Sequence, residues 1–279
     1  MTIKTSHAAF LLLALLWAIP AQATELSLAE ALKRTLVQSP DLQLYPYQQR
    51  INDAAAISAG RRPNPELQLE LADVLGTGDS RTVKNAELTL SLSQLIELGD
   101  KRQKRLELTQ WQSKLTEQQY QLDKVDALAA TMRSFLQLLH QQALLKWTQQ
   151  KIATEQQALA AVKQRAKAGN VTDADISRLE LKVLQSRMEQ KNLSAEKLAN
   201  LRLLASHWAQ TPDFAAVSGD ITLLPTLPQL ADVLTLLQQA PQLQWWLTQN
   251  RLLDSQLQLA KALGQADLTL GAGIRRNQQ

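Results

Sequence analysis

Ala86 to Arg102, AELTLSLSQLIELGDKR, is where the hydrophobic period of the chain changes from two residues to seven. Leu88, Leu90 and Leu92 alternate with Thr89, Ser91 and Ser93, the pattern of a strand apolar on one face and hydroxyl-bearing on the other. Gly99 breaks it, and from Asp100 a charged, leucine-rich run continues without proline or glycine until Gly169. A strand that passes directly into so long a helix decides the fold.

Upstream, Glu66 to Val74 (ELQLELADV) repeats the alternation, with Leu67, Leu69 and Leu71 on one face and Gln68 and Glu70 on the other. A connection rich in Gly, Asp and Ser, Gly76 to Asn85, makes the two strands a hairpin with a long loop. In an aqueous sandwich the leucine face turns inward; in a membrane barrel it meets lipid, and Gln, Glu, Thr and Ser line the interior. About ten residues per strand suits a tilted membrane strand.

Downstream, Asp100 to Ala168 reads as a helix of 69 residues, about 100 Å at 1.5 Å per residue. Leu108, Trp111, Leu115, Gln118, Leu122, Val125, Ala129, Met132, Leu136, Leu139 and Ala143 fall at alternating steps of three and four, a coiled-coil seam with one polar member. Met132 therefore reads as core. Ala168-Gly169-Asn170-Val171-Thr172-Asp173 supplies a Gly-Asn turn and an N-cap, and a return helix of about half that length is expected from Asp173 to Gln210. Thr211-Pro212 ends it. Asp213 to Pro228 reads as an irregular crossing, and Gln229 to Gly264 as a helical pair broken at Pro241.

The N-terminal end is simpler. Lys4 and His7 precede an apolar run from Ala8 to Ile19 and an Ala-x-Ala site at Ala21 to Ala23, so residues 1–23 read as a secretory signal peptide and Thr24 as the mature start. Leu26 to Gln38 has helical spacing, with Ser27 as N-cap and Glu30 closing a capping box. A second helix runs from Asp41 to Gly60, kinked near Pro46, and Pro63-Asn64-Pro65 ends it. Absence of cysteine excludes disulfides, thiolate chemistry and a lipidated N-terminal Cys. Without Lys4 there are 29 basic against 26 acidic residues, about +3, and the signs alternate along helices, which argues against nucleic acid as a partner.

The chain also repeats itself. Shifted by 201 residues without a gap, Leu36 to Leu71 aligns with Leu237 to Ala272, with identities that include Pro40/Pro241, Arg50/Arg251, Asp53/Asp254, Leu67/Leu268 and Leu69/Leu270. Eleven identities in 36 positions exceed the roughly two or three that composition alone would give. Asp267 to Ile274 (DLTLGAGI) is then the counterpart of the first strand, and the second repeat is expected to be incomplete in this sequence. The organisation expected is: 1–23 signal peptide; 24–65 first helices; 66–98 β-hairpin; 99–210 long helical hairpin; 211–228 equatorial connection; 229–265 helices of the second repeat; 266–279 its first strand, cut short.

The strands PELQLEL and ELTLSLSQLIELGDKR, the long helix, the Ala-Gly turn and a duplication of about 200 residues resemble the TolC-like outer membrane efflux proteins across Leu26 to Arg275. The SQLIELGDKR segment is most similar to the CzcC-type branch that serves heavy-metal exporters, with Leu95 in place of a proline and Asp100 in place of a glycine. The resemblance implies a mainly α fold: a long coiled-coil hairpin forming an α-barrel, and a membrane β-hairpin contributing to a trimeric 12-strand β-barrel. It also implies a homotrimer in the outer membrane, working with a periplasmic adaptor (membrane fusion protein) and an inner-membrane pump of the resistance-nodulation-division class. The strand leucines Leu67, Leu69, Leu71, Leu88, Leu90 and Leu92 would then face lipid.

No catalytic constellation is visible, and no cofactor or enzyme activity is expected. His140 and His207 each stand alone on a helix without the ligand spacing that a metal needs. Gly271 and Gly273 read as strand glycines, since no basic residue or helix follows in a phosphate-loop frame. Trp245 and Trp246 align with Leu44 and Tyr45 and read as helix packing. The hairpin tip is the one candidate binding site, an adaptor-docking turn in which Gly169 permits a close turn, Val171 offers an apolar contact, and Arg165, Lys167, Thr172, Asp173 and Asp175 set polar register. Its other reading is cap and turn chemistry alone. A soluble periplasmic coiled-coil adaptor or scaffold is the rival function, although its Gly-rich β domains are not what these leucine-alternating strands resemble.

Overall fold

The computed structural model describes residues 24–72, 77, 86–169, 171–223 and 228–277. The expected signal peptide, Asn170 of the tip and all of the loop Gly76 to Asn85 except Thr77 lie outside them. In chain order the elements are β1 (Thr24–Ser27), α1 (Leu28–Gln38), α2 (Pro40–Gln43), α3 (Tyr45–Gly60), β2 (Glu66–Ala72), β3 (Glu87–Ile96), α4 (Lys101–Lys167), α5 (Asp173–Ser206), β4 (Phe214–Ser218), α6 (Leu230–Gln238), α7 (Pro241–Leu263) and β5 (Leu268–Asn277). The fold is mainly α, with two long helices and short strands. It divides into two compact units, residues 1–43 with 124–227 and residues 44–123 with 228–279.

In the first unit Ser27 caps α1, its Oγ accepting from the Glu30 amide at 3.2 Å. The Glu30 carboxylate accepts from Arg34 Nε instead of returning to the cap, so the capping box closes on one side only. Leu26 belongs to β1 rather than to the helix, and the crossing expected to be irregular contains β4, paired with β1 in parallel. Five residues whose partner strand lies at the other end of the unit leave no local pattern to read. The Gln142 side chain donates to the Val217 carbonyl at 2.9 Å and accepts from its amide at 2.8 Å, closing the second edge of β4. Leu26, Ala31, Phe135, Leu138, Leu204, Trp208, Phe214 and Val217 form the core beneath.

The expected seam needs correcting in this unit. Val125, Met132 and Leu136 are exposed while Leu139 of the seam is buried, and the buried positions of α4 in this unit are Thr131, Ser134, Phe135, Leu138, Leu139, Gln141, Thr148, Ile152 and Glu155. Five of these nine are polar, so a count of apolar residues alone selects a stripe that only partly overlaps the buried one. Small hydroxyls serve where helices approach closely: Thr35 and Thr131 share a hydrogen bond of 2.9 Å within the packing of α1 on α4. Along the α4–α5 pair, Ser134 meets His207 at 2.9 Å, Gln141 meets Glu196, and Lys151 pairs with Glu189.

In the second unit the helix expected from Asp41 to Gly60 is interrupted at Leu44 rather than kinked at Pro46. Pro46 lies in the first turn of α3, where its missing N–H leaves no helical bond unmade. α3 packs on the first part of α4: Tyr45 stacks on Tyr120 with ring centroids 4.2 Å apart, Asn52 donates to Thr116, and a Cβ at Gly60 would sit 3.3 Å from Leu106. α7 packs on the same part of α4 through Arg251 over the Trp111 ring at 5.2 Å and Lys104 donating to Gln258. Trp246, expected to pack, is exposed, edge-on to Trp245. β2, β3 and β5 form an antiparallel sheet in that order.

Candidate membrane face, strand-to-helix corner and hairpin tip

The register of the sheet brings the alternating leucines into rows. Leu67 lies opposite Leu92, Leu69 opposite Leu90 and Leu71 opposite Leu88. β5 extends two of these rows with Ala272 beside Leu92 and Ile274 beside Leu90. Leu268 and Leu270 continue the same face beside Ile96 and Gln94. All six leucines named from the sequence, and Leu268, Leu270 and Ile274 with them, are exposed. An apolar face of this extent is far outside what a water-facing sheet presents.

The other face is polar and crowded. A Cβ built on Gly273 would lie 3.0 Å from Ser91 Cβ, and one on Gly271 3.4 Å from Ser93 Cβ. Directly opposed residues in an antiparallel pair ordinarily keep their Cβ atoms about 4.5–5.5 Å apart. The β3–β5 pair therefore leans together on its polar side, and glycine is the residue that permits it. Arg275 extends this face, pairing with Glu87 at 3.3 Å and donating to Thr89. Neither glycine was recognisable from the sequence as a curvature device, because the signal lies in the partner strand.

Where β3 leaves the sheet, two successive residues take left-handed backbone, Gly99 at φ +71° and Asp100 at φ +56°. A side chain at Gly99 would run into Gln265. Around this corner Asp267 accepts from the Leu98 amide at 3.0 Å and from the buried Lys101 ammonium at 2.7 Å, and Lys101 also donates to the Gln265 carbonyl at 2.7 Å. The Lys101 bond is the main reason that the Asp267 carboxyl is held below its usual range. Arg105 forms a two-pronged pair with Glu97, lowering that carboxyl too, and donates to the Ala59 carbonyl at the end of α3. The sequence marked this stretch as a junction but not the lock on it, since Asp267 and Gln265 are far away along the chain.

At the hairpin tip Gly169 has φ +80° with open space around the position of a Cβ. Thr172 caps α5, its Oγ1 accepting from the Asp175 amide at 3.3 Å and donating to the Asp175 carboxylate at 2.6 Å. That second bond holds the Asp175 carboxyl low. Arg165, Lys167, Gly169, Thr172 and Asp173 are exposed, and Val171 and Asp175 are half-buried. The structure thus gathers the named tip residues at one turn. Among the described residues no cluster of acidic or imidazole groups could hold a metal ion.

Strands with a lipid-compatible face that feed a pair of long helices define the fold of the TolC-like channels. The family model described as "outer membrane efflux protein" matches residues 31–210, and the chain belongs to that family. Similar solved structures include the outer membrane protein VceC from Vibrio cholerae, at 17% identity and a TM-score of 0.70 over 89% of this chain and 62% of that one. CusC follows at 15% identity, with a TM-score of 0.71 over 89% of this chain and 59% of that one. The CmeC outer membrane channel of Campylobacter jejuni has 13% identity and a TM-score of 0.67, over 89% of this chain and 61% of that one. This chain therefore spans less than two thirds of the length of these three structures. No curated protein matches it. Among the described residues no helix is long and apolar enough to cross a membrane. The family match favours the channel over the soluble adaptor.

Proposed function

We propose that this chain is the outer-membrane channel subunit of a tripartite efflux system, a passive conduit through which an inner-membrane pump of the resistance-nodulation-division class discharges its cargo. The observation that carries this reading is the sheet β2–β3–β5, apolar and exposed on one face, polar and drawn together on the other. A sheet in lipid must also satisfy its outer edges, and those of β2 and β5 have no strand partner among the described residues. Neighbouring subunits of a homotrimer would supply them in the closed 12-strand barrel that the resemblance implies, to which each subunit would give four strands, β2, β3 and β5 being three of them, with α4 and α5 in the periplasmic tunnel. In this reading the tip residues Arg165, Lys167, Gly169, Val171, Thr172, Asp173 and Asp175 meet the periplasmic adaptor. The cargo class we infer is divalent heavy-metal cations of the Co, Zn and Cd type, supported by the SQLIELGDKR junction and its likeness to the CzcC branch. A conduit of this kind needs no high-affinity metal site of its own.

Fractionation tests the reading directly. The protein should sediment with detergent-insoluble outer membrane as an oligomer, and a freely soluble periplasmic species would overturn it. In a host lacking its own channel, metal resistance restored together with the pump and adaptor would support the cargo class. Resistance unchanged by Gly169→Arg at normal protein level would count against docking at the tip.

A further inference from the structure

The two arginines near the end of β5 have opposite surroundings. Arg275 lies on the polar face, where Glu87 pairs with it at 3.3 Å and Thr89 accepts from its Nε. Arg276 stands opposite Leu88, which itself faces Leu71, so the guanidinium belongs to a row of the apolar face. Every other residue that the register places on that face is apolar, except Gln94. Arg276 is exposed, and the carboxylate beside it in register, Glu87, is already engaged by Arg275. Among the described residues Arg276 has no ion-pair partner. A lone cation on a lipid-compatible face calls for an anion that comes from outside the chain.

Its height on the sheet says where that anion lies. β3 runs from Glu87 toward α4, so Leu88 and Arg276 are at the end remote from the long helices. Arg276 is eight residues beyond Leu268 on the same face, about 27 Å along a strand that rises about 3.4 Å per residue. At a tilt of about 40° this becomes about 20 Å of height, close to the upper limit of an apolar band about 25 Å tall. From there a long side chain extends its charged head to the headgroup layer while its stem stays among apolar groups. A second feature lies on the same strand. Ala272 is the small member of its row, and with Leu67, Leu90, Leu92, Gly273 and Ile274 it lines an open groove of about 270 Å³. The groove is about 14 Å nearer the middle of the band than Arg276, and its walls offer hydrocarbon no polar competitor.

We propose that Arg276 and the groove at Ala272 are the two ends of one lipid site, in which the guanidinium holds a phosphate of a phosphorylated glycolipid of the outer leaflet and the groove seats one of its acyl chains. The order of the parts along β5, charge at the boundary and hydrocarbon groove below it, is the order of the parts in such a lipid. Arginine suits the head, since its planar fork takes two phosphate oxygens at once. The leaflet follows from polarity: with α4 in the periplasm, the end of the sheet remote from it faces outward. The inference rests on the channel reading, and it adds a ligand site on the outside of the barrel.

The full-length oligomer, extracted in mild detergent and stripped of lipid, is offered lipid A or the same lipid with its phosphates removed, and retained lipid is counted by native mass spectrometry. The parent should retain lipid A about tenfold better than the dephosphorylated form. Arg276→Gln should abolish that preference, whereas Arg275→Gln, one residue away on the polar face, should keep it. Ala272→Leu fills the groove and should lower retention of both forms in an oligomer that persists. In native outer membrane, a photo-crosslinking side chain in place of Leu88 should capture the phosphorylated glycolipid. A parent without the phosphate preference, an Arg276→Gln oligomer that keeps it, or capture of phospholipid alone at Leu88 overturns the site and leaves the channel reading intact. A soluble, monomeric protein overturns both.

Discussion

The first repeat and the second share a sequence pattern, without a gap between residues 36–71 and 237–272, and differ in what covers them. In α1 the line Ala31 and Thr35 is 0% exposed, packed on α4 near Thr131 and Phe135. In α6 no residue is buried, and Leu236 is 63% exposed. α6 is also the more apolar helix: LADVLTLLQ carries no basic residue, where α1 has Lys33 and Arg34. Burial here follows the neighbour and not the hydrophobicity of the helix. The contrast teaches that this repeat unit is not self-sufficient: it forms a core only when a long helical hairpin lies across it.

The sharpest way to break that contrast is to remove the cover. Phe135→Ala deletes a ring that is almost wholly buried against the first repeat, and should lower unfolding stability by about 3–5 kcal/mol. Leu236→Ala removes an exposed leucine from the second repeat and should change stability by less than about 0.5 kcal/mol. Paired chemical denaturation followed by circular dichroism reads both. Equal losses would mean that α6 is covered after all.

The next effect is at the corner that fastens the second repeat to α4. Lys101→Met removes an ammonium that is buried and donates to the Gln265 carbonyl, and leaving that carbonyl unpaired should cost about 1–3 kcal/mol. The substitution should also flatten the acid limb of the stability profile. Asp267 has its carboxyl lowered from 3.8 in the folded chain. Its contribution is therefore complete above that ordinary value and lost as pH falls through the lower folded one. A Lys101→Met protein whose acid unfolding still parallels the parent would contradict the pairing.

A smaller difference is expected between two alanines one row apart in β5, the strand that corresponds to β2. At Gly273 the added Cβ meets the Leu90 carbonyl oxygen at 2.9 Å, whereas at Gly271 the nearest atoms are at 3.4 Å. Gly273→Ala should destabilise the β3–β5 pair by about 1–2 kcal/mol and Gly271→Ala by clearly less. Heat-induced dissociation of the assembled protein ranks them. The reverse order would mean that the sheet does not bend toward its polar face.

Much of this was legible in the sequence, for physical reasons that also explain the rest. Strand alternation at Leu88 to Leu92 and the uninterrupted helical run after Asp100 are local signals, and both elements stand where they were expected. β4 was missed because FAAVS becomes a strand only beside β1. The buried seam of α4 was missed because Thr131, Ser134, Gln141, Thr148 and Glu155 are polar, and close packing selects small or hydrogen-bonded side chains as readily as leucine. At the tip, Gly169 declared a turn and either Thr172 or Asp173 a cap; the geometry places the cap at Thr172 with Asp175 as its partner.

The smallest effect is expected at the tip. Thr172→Ala removes the hydroxyl that accepts the Asp175 amide, and loss of such a cap costs about 1 kcal/mol. The cost should be local, since exposed residues flank the cap and the Lys163 pair with Glu180 ties the hairpin further along its length. Hydrogen exchange should therefore quicken at the amides of Asp175 and Ile176, both of which depend on Thr172, while protection at Phe135 and Leu204 in the core stays unchanged. The Asp175 carboxyl is held low by the same hydroxyl. In the parent, then, cap protection should be complete above the ordinary carboxylate value of 3.8 and should fade as pH falls through the lower folded one. Thr172→Asn retains a capping oxygen and should restore most of the amide protection without the hydroxyl that donates to Asp175. If Thr172→Ala instead loosened the core amides, the hairpin that covers the first repeat would be fastened from its tip, and not from the packing along its length.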